Sequence, residues 1–122
     1  MLKLYYLSTC DTCAGIMKEV QVKKYPFVIQ DIKTEKITEQ QLDEMKNFAG
    51  SYEALFSRIA LKYRALGLNK MELKEKDYKK YILEEYTFLK RPVFIIGEKI
   101  FIGNAPKTTM AVKEELQGIK KK

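Results

Sequence analysis

The sequence contains no histidine and only two cysteines, Cys10 and Cys13. Without an imidazole, no side chain whose unperturbed pKa lies near neutrality is on hand to act as a general base. A structural zinc site needs four ligands of the Cys and His kind, and this pair alone supplies half of them. Two cysteines are also too few for a disulfide scaffold. No apolar run approaches the ~18 residues of a membrane span, and the start shows no basic segment, apolar stretch and cleavage site in that order. The chain is therefore expected to be soluble and cytoplasmic, with no membrane partner, no metal and no bound cofactor. In that compartment a disulfide between Cys10 and Cys13 would be transient. With 122 residues, 46% of them hydrophobic, the chain can bury a core without staples, so one domain over residues 1–122 is expected.

A net charge of +7 fits an anionic substrate, an acidic partner or a weak nucleic-acid surface. The basic residues are nevertheless interleaved with 16 acidic ones, and the main like-charged run is Lys120-Lys121-Lys122. No nucleic-acid motif accompanies them, so direct nucleic-acid binding is not expected and the run reads as a solvated tail.

Leu2 to Leu7 is a short apolar and aromatic run that reads as a buried strand. From Asp11, Ala14, Met17 and Val20 recur at helical spacing until Lys23-Lys24, and Pro26 marks the exit. Phe27-Val28-Ile29 reads as a second strand, which makes a βαβ unit with parallel strands. Helices then dominate from about residue 38 to 90. Thr38 with Gln41 forms a capping box before Leu42, Met45 and Phe48-Ala49, up to Gly50. Further helices are expected over Ser51 to Phe56, Ala60 to Leu66 and Lys74 to Glu85, the last with Tyr78, Tyr81 and Ile82 packing on one side. Arg91 to Ile96 and Lys99 to Ile102 flank Gly97-Glu98 as a hairpin. Thr108 to Leu116 is a final amphipathic helix. The order βαβ, helical insertion, ββα predicts an α/β fold, a sheet flanked by helices.

Cys10 and Cys13 admit three readings: half of a metal site, two packed small residues, or a redox pair. The redox reading draws on position. A Cys-x-x-Cys between the first strand and first helix places Cys10 where free N–H groups and the positive helix end stabilise a thiolate. Such placement lowers a thiol pKa from about 8.5 to roughly 3.5–7.5. Cys13, about one turn further on, is near enough to attack a mixed disulfide on Cys10 and release the product. With no histidine, activation must come from the helix end and from Arg or Lys, while Asp11 by itself opposes it.

Cys10-Asp11-Thr12-Cys13, Asp31 to Leu42, Leu55-Phe56-Ser57-Arg58, Tyr63 to Leu68 and Leu89-Lys90-Arg91-Pro92-Val93 together resemble the arsenate reductase (ArsC) and Spx family. The similarity runs along essentially the whole chain. It implies a thioredoxin-like fold with a mixed sheet and a helical insertion. It also implies that Cys10 is the nucleophile and that Arg91-Pro92 is the family's Arg-Pro pair, the proline cis and facing the active site. Arg91 would then contact an oxyanion or the Cys10 thiolate, a task suited to its planar donor fork. Arg58 is the counterpart of a further family arginine, which gives Arg58, Arg91 and Pro92 as the substrate-binding set. Two departures bear on activity. Ile102 to Pro106 has no arginine where the glutaredoxin-dependent arsenate reductases carry one, and Cys13 restores a Cys-x-x-Cys that those enzymes lack and Spx regulators have.

Two functions follow from the resemblance. One is a glutaredoxin-like thiol oxidoreductase acting on arsenate, another small oxyanion or a thiol adduct, with Cys13 as resolving thiol and glutathione with glutaredoxin, or thioredoxin, as electron donor. The other is a redox-sensing regulator that binds RNA polymerase under control of a Cys10–Cys13 disulfide.

Overall fold

The computed structural model describes residues 1–122, which divide into two compact units, 1–36 with 91–122 and 37–90. The first holds a four-stranded sheet in the order β2-β1-β3-β4, with β1 Leu2–Tyr6, β2 Val28–Asp31, β3 Val93–Ile96 and β4 Lys99–Ile102. β1 runs parallel to β2 and antiparallel to β3, and β3 is antiparallel to β4, so the sheet is mixed. The βαβ order explains the parallel pair, which needs a crossover. Gly97 at φ 63° makes the tight reversal between β3 and β4.

Register sets the core. Leu4 lies opposite Phe94 and Phe94 opposite Phe101, while Leu2 faces Ile96, so these residues share one face of the sheet. Helix α1 (Asp11–Glu19) and the last helix, α5 (Pro106–Leu116), contribute Ile16, Val112 and Leu116 to the same hydrophobic cluster. Each such side chain, once buried, contributes about 1.5–3 kcal/mol. Pro106 stands in the first turn of α5, where its missing N–H costs no helical bond.

Residues 37–90 form a helical unit. The Thr38–Gln41 capping box opens α2 (Glu39–Ala49), and Gly50 at φ 93° closes it. Helices α3 (Leu61–Ala65) and α4 (Glu75–Glu84) follow. Phe56 is fully buried and stacks on Phe88 with ring centroids 5.0 Å apart; Tyr78 lies 5.0 Å from Phe56. Tyr78 and Tyr81 thus serve packing, Tyr81 meeting Phe88 edge-on at 6.0 Å. The Phe56–Leu89 bridge, with Lys90 N–H donating to the Leu55 carbonyl at 2.8 Å, ties the end of this unit to its middle.

Two expectations need correction. The first helix was expected to reach Lys23-Lys24, but it ends at Glu19: Gln21 takes a left-handed φ of 59°, and Val22–Lys24 continue as a single 3₁₀ turn. Apolar spacing persists through the break because Val22 is still needed in the core. The helix expected over Ser51 to Phe56 is only a 3₁₀ turn at Glu53–Leu55, since Phe56 turns extended to pair with Leu89. No helix is long and apolar enough to cross a membrane.

Candidate active site

β1 ends at Tyr6, and the chain turns with Cys10 N–H donating to the Leu7 carbonyl at 3.0 Å. Cys10 is the N-cap of α1, extended at φ −100° and ψ 109°. Its carbonyl accepts the Ala14 N–H at 3.2 Å, and its Sγ accepts the Cys13 N–H at 3.4 Å. The sulfur occupies the place a Ser or Asp oxygen takes in an ordinary cap. A thiolate there meets donors that have no helical partner of their own.

Both cysteines are free thiols, Cys10 half-buried and Cys13 wholly buried. Partial burial raises the Cys10 pKa, but the N–H and side chain of Cys13, the Arg91 charge and the Thr12 N–H outweigh it and hold the thiol below its ordinary value. Cys13 goes the other way. Its burial is the main cause, the Leu7 N–H opposes, and the bond to and charge of Cys10 add, so the thiol is pushed up to about 11. The two thiols are thus driven in opposite directions, Cys10 toward the thiolate and Cys13 toward the protonated form.

Arg91 stands just before β3 in the same unit as Cys10, and the Arg91–Pro92 peptide is cis, as the resemblance implies. The Arg91 charge acts on both Cys10 and Cys13, and Pro92 follows Arg91 in the chain. Arg58 belongs to the helical unit. There its Nη2 donates to Glu53 Oε2 at 2.7 Å and to the Tyr78 hydroxyl at 2.9 Å, with the guanidinium 5.5 Å above the Tyr78 ring. The bond to Glu53 holds its pKa above the ordinary arginine value.

A residue that the sequence reading did not assign is Asp31. Its Oδ1 accepts N–H bonds from Ser8 and Lys33, each at 3.1 Å, and its Oδ2 accepts from the Thr34 hydroxyl at 3.3 Å. Asp31 also pairs in register with Tyr6. Its bond to Ser8 ties the segment that leads to Cys10 to the end of β2. An Asp followed by Thr three residues on is a turn signal that could have marked it. No cluster of three or more His, Cys, Asp or Glu side chains is placed to hold a metal.

The ArsC family model matches residues 5–112. Among solved structures, the chain is similar to an arsenate reductase from Vibrio cholerae, with 12% identity, 91% of this chain and 96% of that one covered, and a TM-score of 0.76. An arsenate reductase (ArsC) related protein from Brucella melitensis is 21% identical over 90% of this chain and 92% of its own, TM-score 0.69. A Staphylococcus aureus protein is 23% identical over 91% and 97%, TM-score 0.73. No curated protein sequence matches. The α/β thioredoxin-like fold that the resemblance implies is the fold of this chain.

Proposed function

Since the chain belongs to the ArsC family, we propose that it is a thiol oxidoreductase with Cys10 as nucleophile and Cys13 as resolving thiol. The observation that carries the reading is the Cys10 sulfur capping α1, with the Cys13 N–H on it and the Arg91 charge near it. On a disulfide or thiol adduct, the Cys10 thiolate attacks one sulfur and the other leaves with the bonding electron pair and takes a proton. Cys13 then attacks the Cys10 sulfur, which forms the Cys10–Cys13 disulfide and releases the second thiolate. The substrate gains two electrons and the protein loses them. An external dithiol system, glutathione with glutaredoxin or thioredoxin, returns the pair to thiols.

The high pKa of Cys13 fits this order of events. The bond to and charge of Cys10 both help to keep Cys13 protonated. When Cys10 is spent in a mixed disulfide, those two influences go, and Cys13 loses its proton more readily. Arg91, with its planar fork, is assigned to the thiolate and to an oxyanion such as arsenate, with Pro92 beside it. It is the Arg91 charge that acts on Cys10, so the proposal rests on Arg91.

The Gly103-Asn104-Ala105 connection to α5 carries no arginine. That favours a second reading, a redox-sensing regulator whose Cys10–Cys13 disulfide controls binding to RNA polymerase. Reduction of arsenate with glutathione and glutaredoxin, and of hydroxyethyl disulfide with glutathione alone, each measured above the same mixture without the protein, separates the two. The enzyme reading expects turnover that disappears in Cys10→Ser. Absence of Cys10-dependent turnover, with polymerase subunits recovered on the reduced protein and not on the oxidised one, would establish the regulator instead.

A further inference from the structure

The excess positive charge is confined almost wholly to one unit. Residues 1–36 and 91–122 hold 13 basic and 7 acidic side chains, whereas residues 37–90 hold 10 and 9. Part of that excess surrounds a groove of about 530 Å³. Leu7 and Val22, both buried, and Tyr6 and Met17, half-buried, make it apolar. Lys18, Lys23 and Lys24 line it too, all exposed and none in an ion pair.

The break in α1 creates this arrangement. With Gln21 left-handed, the chain leaves the helix and Val22–Lys24 turn back along it, so Lys23 and Lys24 come to the same groove as Lys18. The C-terminal tail adds to the charge. Ile119 packs on the core and Lys122 N–H donates to the Lys24 carbonyl at 3.0 Å, which brings the Lys120-Lys121-Lys122 run to Lys24. Ser8 and Ala14 also line the groove; they lie two residues before and four residues after Cys10, and Ala14 N–H is bonded to the Cys10 carbonyl.

We infer that this groove is a docking site for the substrate of Cys10, and that the substrate is a cysteine-bearing protein segment with an apolar anchor and acidic flanking residues. The inference rests on the thiol oxidoreductase reading and names its substrate class. A small oxyanion would need only the helix end and Arg91. Neither an apolar lining nor three lysines outside any ion pair serves it. An apolar side chain fills the groove, and the lysines meet carboxylates on both sides of it, which raises the encounter rate and sets the polarity of docking.

The test uses the Cys13→Ser protein and three synthetic peptides, each with one cysteine capped as a mixed disulfide with thionitrobenzoate. One carries Leu and Glu about the cysteine, one Leu and Lys, one Ser and Glu. The Cys10 thiolate attacks the peptide sulfur, a Cys10–peptide disulfide forms, and coloured thionitrobenzoate leaves with the electron pair. Each rate is divided by the iodoacetamide rate of the same protein, so changes in thiolate content cancel. The Leu–Glu peptide should react about tenfold faster than either of the others. Lys18, Lys23 and Lys24 changed together to Glu should reverse the preference between Glu and Lys peptides. Ala14→Met, which keeps a good helix former and fills the mouth of the groove, should remove the advantage of Leu over Ser. Fast alkylation of Cys10 with equal rates for all three peptides would overturn the docking site and leave the thiol reading standing. Slow alkylation of Cys10 would sink both. Single-stranded DNA that slows the Leu–Glu reaction more than the same peptide without its cysteine would assign the lysines to nucleic acid, and would also overturn the inference.

Discussion

The two units differ in how their charge is balanced: residues 37–90 hold 10 basic and 9 acidic side chains, residues 1–36 with 91–122 hold 13 and 7. In the helical unit Arg58 pairs with Glu53 and Lys62 with Glu85, each at 2.7 Å, and Lys79 with both Glu39 and Asp43. In the sheet unit, Lys99 pairs with Glu115 and Lys113 with Glu19, but Lys18, Lys23 and Lys24 are unpaired and the Arg91 charge acts on Cys10. A cation held by an acidic neighbour serves the fold. Lysines that line a groove without an ion pair can meet something that binds there. The comparison thus sets an aromatic packing unit beside the unit that holds both cysteines and the surplus of positive charge.

The largest effect that can sharpen this contrast lies in the aromatic stack. Phe56→Ala removes a buried ring that meets Phe88, Tyr78 and Tyr63. It should cost about 3–5 kcal/mol in urea unfolding, while the folded variant alkylates Cys10 at the wild-type rate. A cost below ~1 kcal/mol would show that the stack does not carry the helical unit.

Next in size is the pH dependence that Cys13 imposes. Its folded pKa is raised to about 11, so the folded state keeps a proton that the unfolded chain gives up. The stabilisation is therefore complete below the ordinary thiol value and is lost as pH rises through the folded value. Between those limits wild type should lose up to about 2 kcal/mol relative to Cys13→Ala. The difference between the two proteins, followed by urea midpoints from pH 8 upward, isolates Cys13 from the lysines and tyrosines. Parallel curves would contradict a raised pKa.

Arg91→Ala should slow Cys10 alkylation at pH 7 by several-fold to about tenfold, through loss of a charge that favours the thiolate. Arg91→Lys should restore the thiolate better than it restores anion binding, because lysine keeps the charge and loses the fork. The smallest effect is expected for Arg58→Ala. Its ion pair is exposed, so stability should change by no more than about 0.5–1 kcal/mol, and the Cys10 profile should stay in place. A profile that moves as far as in Arg91→Ala would erase the distinction between the two units.

Much of this was legible in the sequence. The strands and the capping box at Thr38 were readable because apolar runs and cap chemistry are local signals, and Cys10 announced itself by lying between a strand and a helix. What was not legible depends on distant pairing. Gln21 carries no mark of a left-handed residue, and the apolar spacing continues through it, so the end of α1 was hidden. Phe56 ends its turn early to meet Leu89, a partner 33 positions away. The bond from Arg58 to Tyr78, 20 residues on, likewise depends on the fold and left no mark in the sequence. The groove beside Cys10 needed the 3₁₀ turn and the C-terminal tail together.

The central claim is that one helix end divides two thiols into a nucleophile and a protonated reserve. Competitive labelling of the reduced protein with limiting iodoacetamide across pH, with both cysteines quantified by mass spectrometry, tests it most directly. Cys10 should be labelled first, with a midpoint below the ordinary thiol value, and Cys13 should stay unlabelled until the solution is strongly alkaline. Labelling of Cys13 before Cys10, or a Cys10 midpoint at or above the ordinary value, would contradict it.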